Sequence, residues 1–183
     1  MEAVWVAGCS GYETTGVIHL LKGCGVSVRL LRPGERLRAG DTLILCFSSA
    51  PLLGWWRYLK ITQWVAYRYD IRLIVLCPDE VCRTDVVCGR NTVTVNGERS
   101  CIHLSLSLQQ TVQRCLPDGM PESQWDCVKS FLERASQTLR IFPVQESEDS
   151  AIRRAYQKRD LMVQRLGFVS LMRLKVFMAG HFP

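Results

Sequence analysis

Nine cysteines and three histidines are the side chains of this 183-residue chain best suited to nucleophilic or metal chemistry. Their spacing supports neither. No Cys-x-x-Cys occurs, and the loose group Cys77, Cys82 and Cys88 has no nearby histidine to complete a zinc tetrad. His19, His103 and His181 are scattered, and nothing pairs one of them with a cysteine as base and nucleophile. No metal, no cofactor and no catalytic residue is therefore expected. Cys46 and Cys77 sit inside or at the ends of apolar runs, where cysteine behaves as a small buried hydrophobe in a reducing compartment.

A second chemistry would belong to the glycines near the start. Gly8-Cys-Ser-Gly-Tyr-Glu-Thr-Thr-Gly16 follows an apolar run and opens a helical one, the place of a dinucleotide fingerprint. Thr14 stands where that spacing needs glycine. The next strand ends near Arg29 and Arg32, which lack the acid that NAD favours but suit a 2′-phosphate. No Tyr-x-x-x-Lys pair follows. A small NADP-binding protein is thus an alternative reading, and the chain is not expected to be an enzyme.

The third candidate is electrostatic. Net charge is +6, and residues 150–183 hold seven Lys/Arg against the single acid Asp160, so all the excess lies in the last fifth of the chain. A local basic element points to an anionic partner such as nucleic acid. Between 149 and 166 the residues Ile152, Ala155, Met162, Val163 and Leu166 form one helical stripe. Arg153, Arg154, Gln157, Lys158 and Gln164 occupy the other faces. Asp149 or Ser150 suits the N-cap, Glu146 and Glu148 suit the dipole, and Gly167 suits the end.

The elements that must position these groups follow from patterning. With 48% apolar and 22% charged residues and mean hydropathy of +0.04, the composition is globular and excludes disorder and collagen-like repeats. No apolar run approaches the roughly 18 residues of a membrane span, and the start, with Glu2, does not read as a signal peptide. A soluble, cytoplasmic protein is expected. Strands are predicted at 3–7, 26–31, 42–47 and 71–77, with helices at 14–24 and 53–69, which is the alternation of a parallel sheet. Residues 92–95 and 101–106 around Asn96-Gly97 predict a hairpin, and 108–116 a short helix. Residues 117–123, with two prolines and a glycine, predict a linker. Four helices are expected beyond it: one built on Trp125, Val128, Phe131 and Leu132, a short one at Leu139, Ile141 and Phe142, the basic helix, and 170–179. The helix at 53–69 is apolar on two sides, so it is either a core helix or an association surface presenting Trp55, Trp56 and Trp64.

The stretch Ala155-Tyr-Gln-Lys-Arg-Asp-Leu-Met-Val-Gln-Arg-Leu-Gly167 resembles the end of the LuxR/FixJ-type DNA-binding domain, whose members typically read Val-x-x-His-Arg-x-x-Ile-x-x-Lys-Leu-Gly. Trp125, Val128 and Leu132 resemble that domain's first helix, and Arg134-Ala135-Ser136 stands where its Gly-x-Ser turn would be. The resemblance implies that Arg153, Arg154, Gln157 and Lys158 face the DNA groove, with Arg159 near the phosphates. Arg165 falls at the family's lysine position.

The first half resembles the receiver domain that often precedes such a module. Gly16-Val17-Ile18-His19-Leu20-Leu21 resembles a receiver's first helix, residues 41–48 its third strand and 72–78 its fourth. On that alignment Gly8 and Cys9 replace the metal-binding acids, and Cys46 takes the phosphoacceptor position. Cys77 takes the switch Ser/Thr position, and Ser105 or Ser107 the lysine position. Without carboxylates there is no acyl-phosphate acceptor. The resemblance implies an α/β pseudo-receiver, a parallel sheet flanked by helices, over residues 1–116. The linker 117–123 and an all-α helix-turn-helix domain over 124–183 would follow. Its implied function is that of a phosphorylation-independent, DNA-binding transcriptional regulator. The resemblance extends to enteric regulators of the GadE kind, some of which act as heterodimers with RcsB, and so implies a homodimer or a heterodimer with an RcsB-type regulator. The other alternative is an interaction module that antagonises a regulator without touching DNA.

Overall fold

A computed structural model describes residues 3–84, 86–87, 91–113, 125–141 and 149–181. Five parallel strands form one sheet: β1 (Val4–Gly8), β2 (Val28–Leu30), β3 (Thr42–Cys46), β4 (Arg72–Cys77) and β5 (Thr92–Asn96). Their order is β2-β1-β3-β4-β5, the doubly wound arrangement in which the chain starts centrally and reverses direction once. Register is in step across the centre, with Val4 opposite Thr42 and Thr42 opposite Arg72. All five residues of β3 and five of the six in β4 are buried, as unbroken apolar runs require when both sheet faces are covered.

Successive side chains alternate between two cores. Val6, Ile44, Cys46, Ile74, Leu76 and Val95 face α1 (Gly11–Gly23) and a helix at Cys101–Gln113. Trp5, Leu43, Leu45, Leu73, Val75 and Cys77 face the opposite side, beneath α2 (Trp56–Arg68). That second face has too few crossover helices of its own. The β2–β3 connection is a loop through Pro33, Gly34 and Gly40, and among the described residues β4–β5 holds only the four-residue α3 (Asp79–Cys82).

The C-terminal helices fill the deficit. With the 101–113 helix as α4, they are α5 (Trp125–Leu139), α6 (Asp149–Arg165) and α7 (Leu171–Phe177). Val128, Phe131, Leu132 and Ala135 of α5, Val163 of α6 and Leu174 and Phe177 of α7 are buried in the same cluster as the sheet residues. Phe177 stacks on Trp55 with ring centroids 6.2 Å apart and meets Phe168 at 5.2 Å. A separate helix-turn-helix domain is not shown among the described residues. α5 runs unbroken through Arg134-Ala135-Ser136, the positions of the family's Gly-x-Ser turn, with Ala135 fully buried on its inner stripe. The expected linker at 117–123 lies outside the described residues, as does Phe142 of the expected short helix.

The predicted hairpin is not formed. Residues 92–96 pair in parallel with β4, and 101–113 are helical. Ile102, Leu104, Leu106 and Leu108 alternate in sequence like a strand. Only Leu104 and Leu108, four apart on one helix face, are buried, while Ile102 and Leu106 are exposed.

Candidate functional site

The C-terminal edge of the sheet is where a doubly wound fold places its ligands. Here β1 ends at Gly8 and turns through Cys9 and Ser10 into α1, whose first turn carries Glu13. A Cβ on Gly8 would lie 2.6 Å from the Cys46 carbonyl, so only glycine lets β1 and β3 come this close. Both Glu13 oxygens are engaged. Oε1 accepts from Ser48 N at 3.0 Å and Ser48 Oγ at 2.5 Å, while Oε2 accepts from Ser49 N at 3.1 Å and Ser49 Oγ at 2.5 Å. The carboxylate thereby closes the mouth between β1 and β3. It also puts negative charge at the helix N-terminus, where a pyrophosphate would have to lie.

Cys46 is the last residue of β3 and is completely buried. Burial, with Glu13 and Cys9 nearby, pushes its thiol far above the usual range, so it stays neutral. Burial and Cys9 also raise the Tyr58 hydroxyl. A buried neutral thiol beside a saturated carboxylate offers neither an anionic nucleophile nor an acyl-phosphate acceptor.

Cys77 ends β4 as expected. Ser105 and Ser107 do not end β5. They lie within α4, and the residue at the strand end is Asn96. Asn96 donates through Nδ2 to Asp79 Oδ1 at 2.7 Å and accepts from Glu98 N at 2.9 Å, and Arg83 pairs with the same aspartate. The edge acids are thus absorbed in local pairing. Among the described residues no three His, Cys, Asp or Glu side chains come together as a metal cluster.

The basic helix α6 divides along its length. Val163 is buried, and Ile152, Ala155, Arg159 and Met162 are half-buried on the same stripe. Arg153, Arg154, Gln157, Lys158 and Arg165 are exposed. Arg159 is therefore not on the outer face with the others. Its guanidinium lies 4.7 Å over the Tyr156 ring, and the i, i+4 and i+3 steps from Ala155 to Arg159 to Met162 turn it inward. The helix ends in a Schellman motif: Gly167 N donates to Gln164 O at 2.9 Å and Phe168 N to Val163 O at 3.2 Å, with Gly167 at φ +86°.

The three tryptophans part company. Trp55 is 0% exposed and donates to the Phe47 carbonyl at 3.2 Å, so it belongs to the core and to no dimer surface. Trp56 is half-buried under the C-terminal tail. Trp64 alone stands out, 59% exposed, with Ile61 exposed one turn before it.

Glu13 escaped the sequence reading. A first-turn acid, with Ser48-Ser49 directly beyond an apolar strand, was the signal available. The described helices include none long and apolar enough to cross a membrane.

No protein-family model matches the chain, and no curated protein matches it. Among solved structures it is similar to the regulatory domain of the master biofilm regulator CsgD. The TM-score is 0.46 and the identity 14%, over 71% of this chain and 99% of that one.

Proposed function

We propose that the chain is a transcriptional regulator that contacts DNA through α6 and works without phosphorylation. The observation that carries this reading is the outer face of α6. Arg154, Lys158 and Arg165 form one exposed row and Arg153 and Gln157 the next, above an inner stripe fixed to the core. From Arg154 to Arg165 the row spans about 16 Å at 1.5 Å per residue, a length that fits a major groove. Arginine and lysine there serve phosphates and guanine edges, and glutamine serves adenine. The neutral Cys46 supports a regulator whose output does not depend on an acyl phosphate. Trp64 with Ile61 is the face proposed for pairing, with a second copy or with an RcsB-type regulator.

The antagonist reading keeps one observation in its favour: α6 shares its core with the sheet and is not held on a separate module. Titration of the whole chain against fragmented genomic DNA at low and moderate salt, alone and with an RcsB-type partner, separates the two. Retention of a reproducible subset of fragments, weakening with salt, is the regulator's result. No retention in either arm leaves the antagonist. Acetyl phosphate is expected to leave the mass of the protein unchanged, and a phosphoryl adduct would contradict the role given to Cys46.

A further inference from the structure

We propose that Cys77 and Cys82 form a peroxide-oxidisable dithiol, a reversible disulfide site at the end of β4. The two Sγ atoms lie 3.1 Å apart, so closing the bond to its usual length of about 2.05 Å asks for roughly 1 Å of movement. Cys77 is fully buried on the sheet, whereas Cys82, the last residue of α3, is only half-buried. Cys82 lines a polar hollow of about 350 Å³ with Asn96, Arg99 and Ser107, large enough to admit a small oxidant.

The two sulfurs differ in the way such chemistry needs. The hydrogen bond between the two sulfurs, helped by the Arg99 charge, outweighs burial and lowers the Cys82 thiol. The same hydrogen bond, then burial, pushes Cys77 up, so Cys82 gives up its proton more readily than Cys77. Hydrogen peroxide or an alkyl hydroperoxide is the oxidant. The Cys82 thiolate attacks one peroxide oxygen, the O–O bond breaks, and the departing hydroxide (or alkoxide) takes a proton to leave as water (or alcohol). Cys82 is then a sulfenic acid. The Cys77 sulfur next attacks the Cys82 sulfur, the S–O bond breaks, and the Cys77 proton leaves with that hydroxide as water. With hydrogen peroxide, two thiols are oxidised and one peroxide is reduced to two waters. A dithiol reductant reverses the change.

The location gives the bond something to move. Past α3, the Arg83 carbonyl and Thr84 Cα each lie 2.8 Å from where a Cβ on Gly167 would stand. Arg173 beyond that turn pairs with Glu80 of α3 at 3.1 Å. A disulfide drawing Cys82 toward β4 therefore pulls on the segment against which the α6–α7 turn rests. The site itself stands on these atoms and not on the reading of α6.

Trypsin cuts after Arg72 and Arg83, so peptide 73–83 carries Cys77 and Cys82 and no other cysteine. The test treats the folded whole chain with one equivalent of hydrogen peroxide, then alkylates under denaturing conditions and digests. The expected result is peptide 73–83 without alkyl groups, lighter than its reduced form by two hydrogen atoms and restored by dithiothreitol. In Cys77→Ser, Cys82 is expected as a sulfenic acid trapped by dimedone. Peptide 73–83 alkylated at both sulfurs after peroxide, or cross-linked to another cysteine, would overturn the proposal. The wild-type measurement alone decides it if the buried Cys77→Ser variant does not fold.

Discussion

Trp56 donates its indole Nε1–H to the carbonyl of Ala179, 2.9 Å away and 123 positions later in the chain. His181 packs edge-on against the same indole at 4.7 Å, and Gly54 N donates to Val176 O at 2.9 Å. The turn that follows α7 is therefore tied to the start of α2. With Phe168, Phe177 and Met178 fully or almost fully buried, the C-terminal helices are part of the sheet's own core.

A shared core unfolds as a unit. Urea denaturation followed by tryptophan fluorescence and by far-UV circular dichroism is expected to give one coincident transition. Two resolved transitions would mean that α5–α7 form a domain independent of the sheet.

The α6–α7 turn is held by backbone. Gly167 has φ +86°, and any Cβ there meets Arg83 and Thr84. Gly167→Ala is expected to cost more than about 1 kcal/mol, measured as a lower urea midpoint with unchanged slope. Gly16→Ala has open space at the Cβ and serves as the mild comparison.

Asp41 links the N-terminus, a loop and the core. Its carboxylate accepts from Ala3 N at 3.0 Å, Trp5 Nε1 at 3.1 Å and Arg38 N at 2.9 Å. Burial alone would raise its pKa, but the hydrogen bonds from Arg38, Ala3 and Trp5, with the Arg38 charge, hold it below the usual aspartate value. A lowered folded pKa contributes stability that is complete above the unfolded value, near 3.9, and is lost as pH falls through the folded value. Asp41→Asn is expected to lose about 2 kcal/mol at neutral pH. The gap from wild type should narrow as pH drops below about 4. A gap that stays constant with pH would show that the charge of Asp41 is not the stabilising feature.

Strands β1 to β4 and the helices α1, α2, α6 and α7 were legible because hydrophobic period and turn residues agreed at each of them. Residues 101–106 were not, since Ile102, Leu104 and Leu106 satisfy a strand's period while α4 buries only Leu104 of the three; 108–113, expected as helix, is helical. Trp55 was misplaced for a related reason. Periodicity says that a helix has two apolar sides, but only packing decides which side meets the sheet, so Trp55 went inward and Trp64 outward. The docking of α5–α7 was hidden because its cause is a deficit elsewhere: the β2–β3 loop and the short α3 leave a sheet face for distant helices to cover. Glu13 and its two serines are joined only by the fold.

The central claim, that the outer face of α6 contacts nucleic acid, is tested most directly by duplex binding against salt concentration. Wild-type protein is compared with the double variant Arg154→Ala, Lys158→Ala. Each neutralised phosphate contributes about 0.9 to the log–log slope, so losing both cations is expected to weaken binding and lower the slope by about 2. The urea midpoint should move little, because substitutions at exposed positions typically change stability by about 0.5 kcal/mol or less. A double variant with the affinity and salt slope of the wild type would contradict the claim.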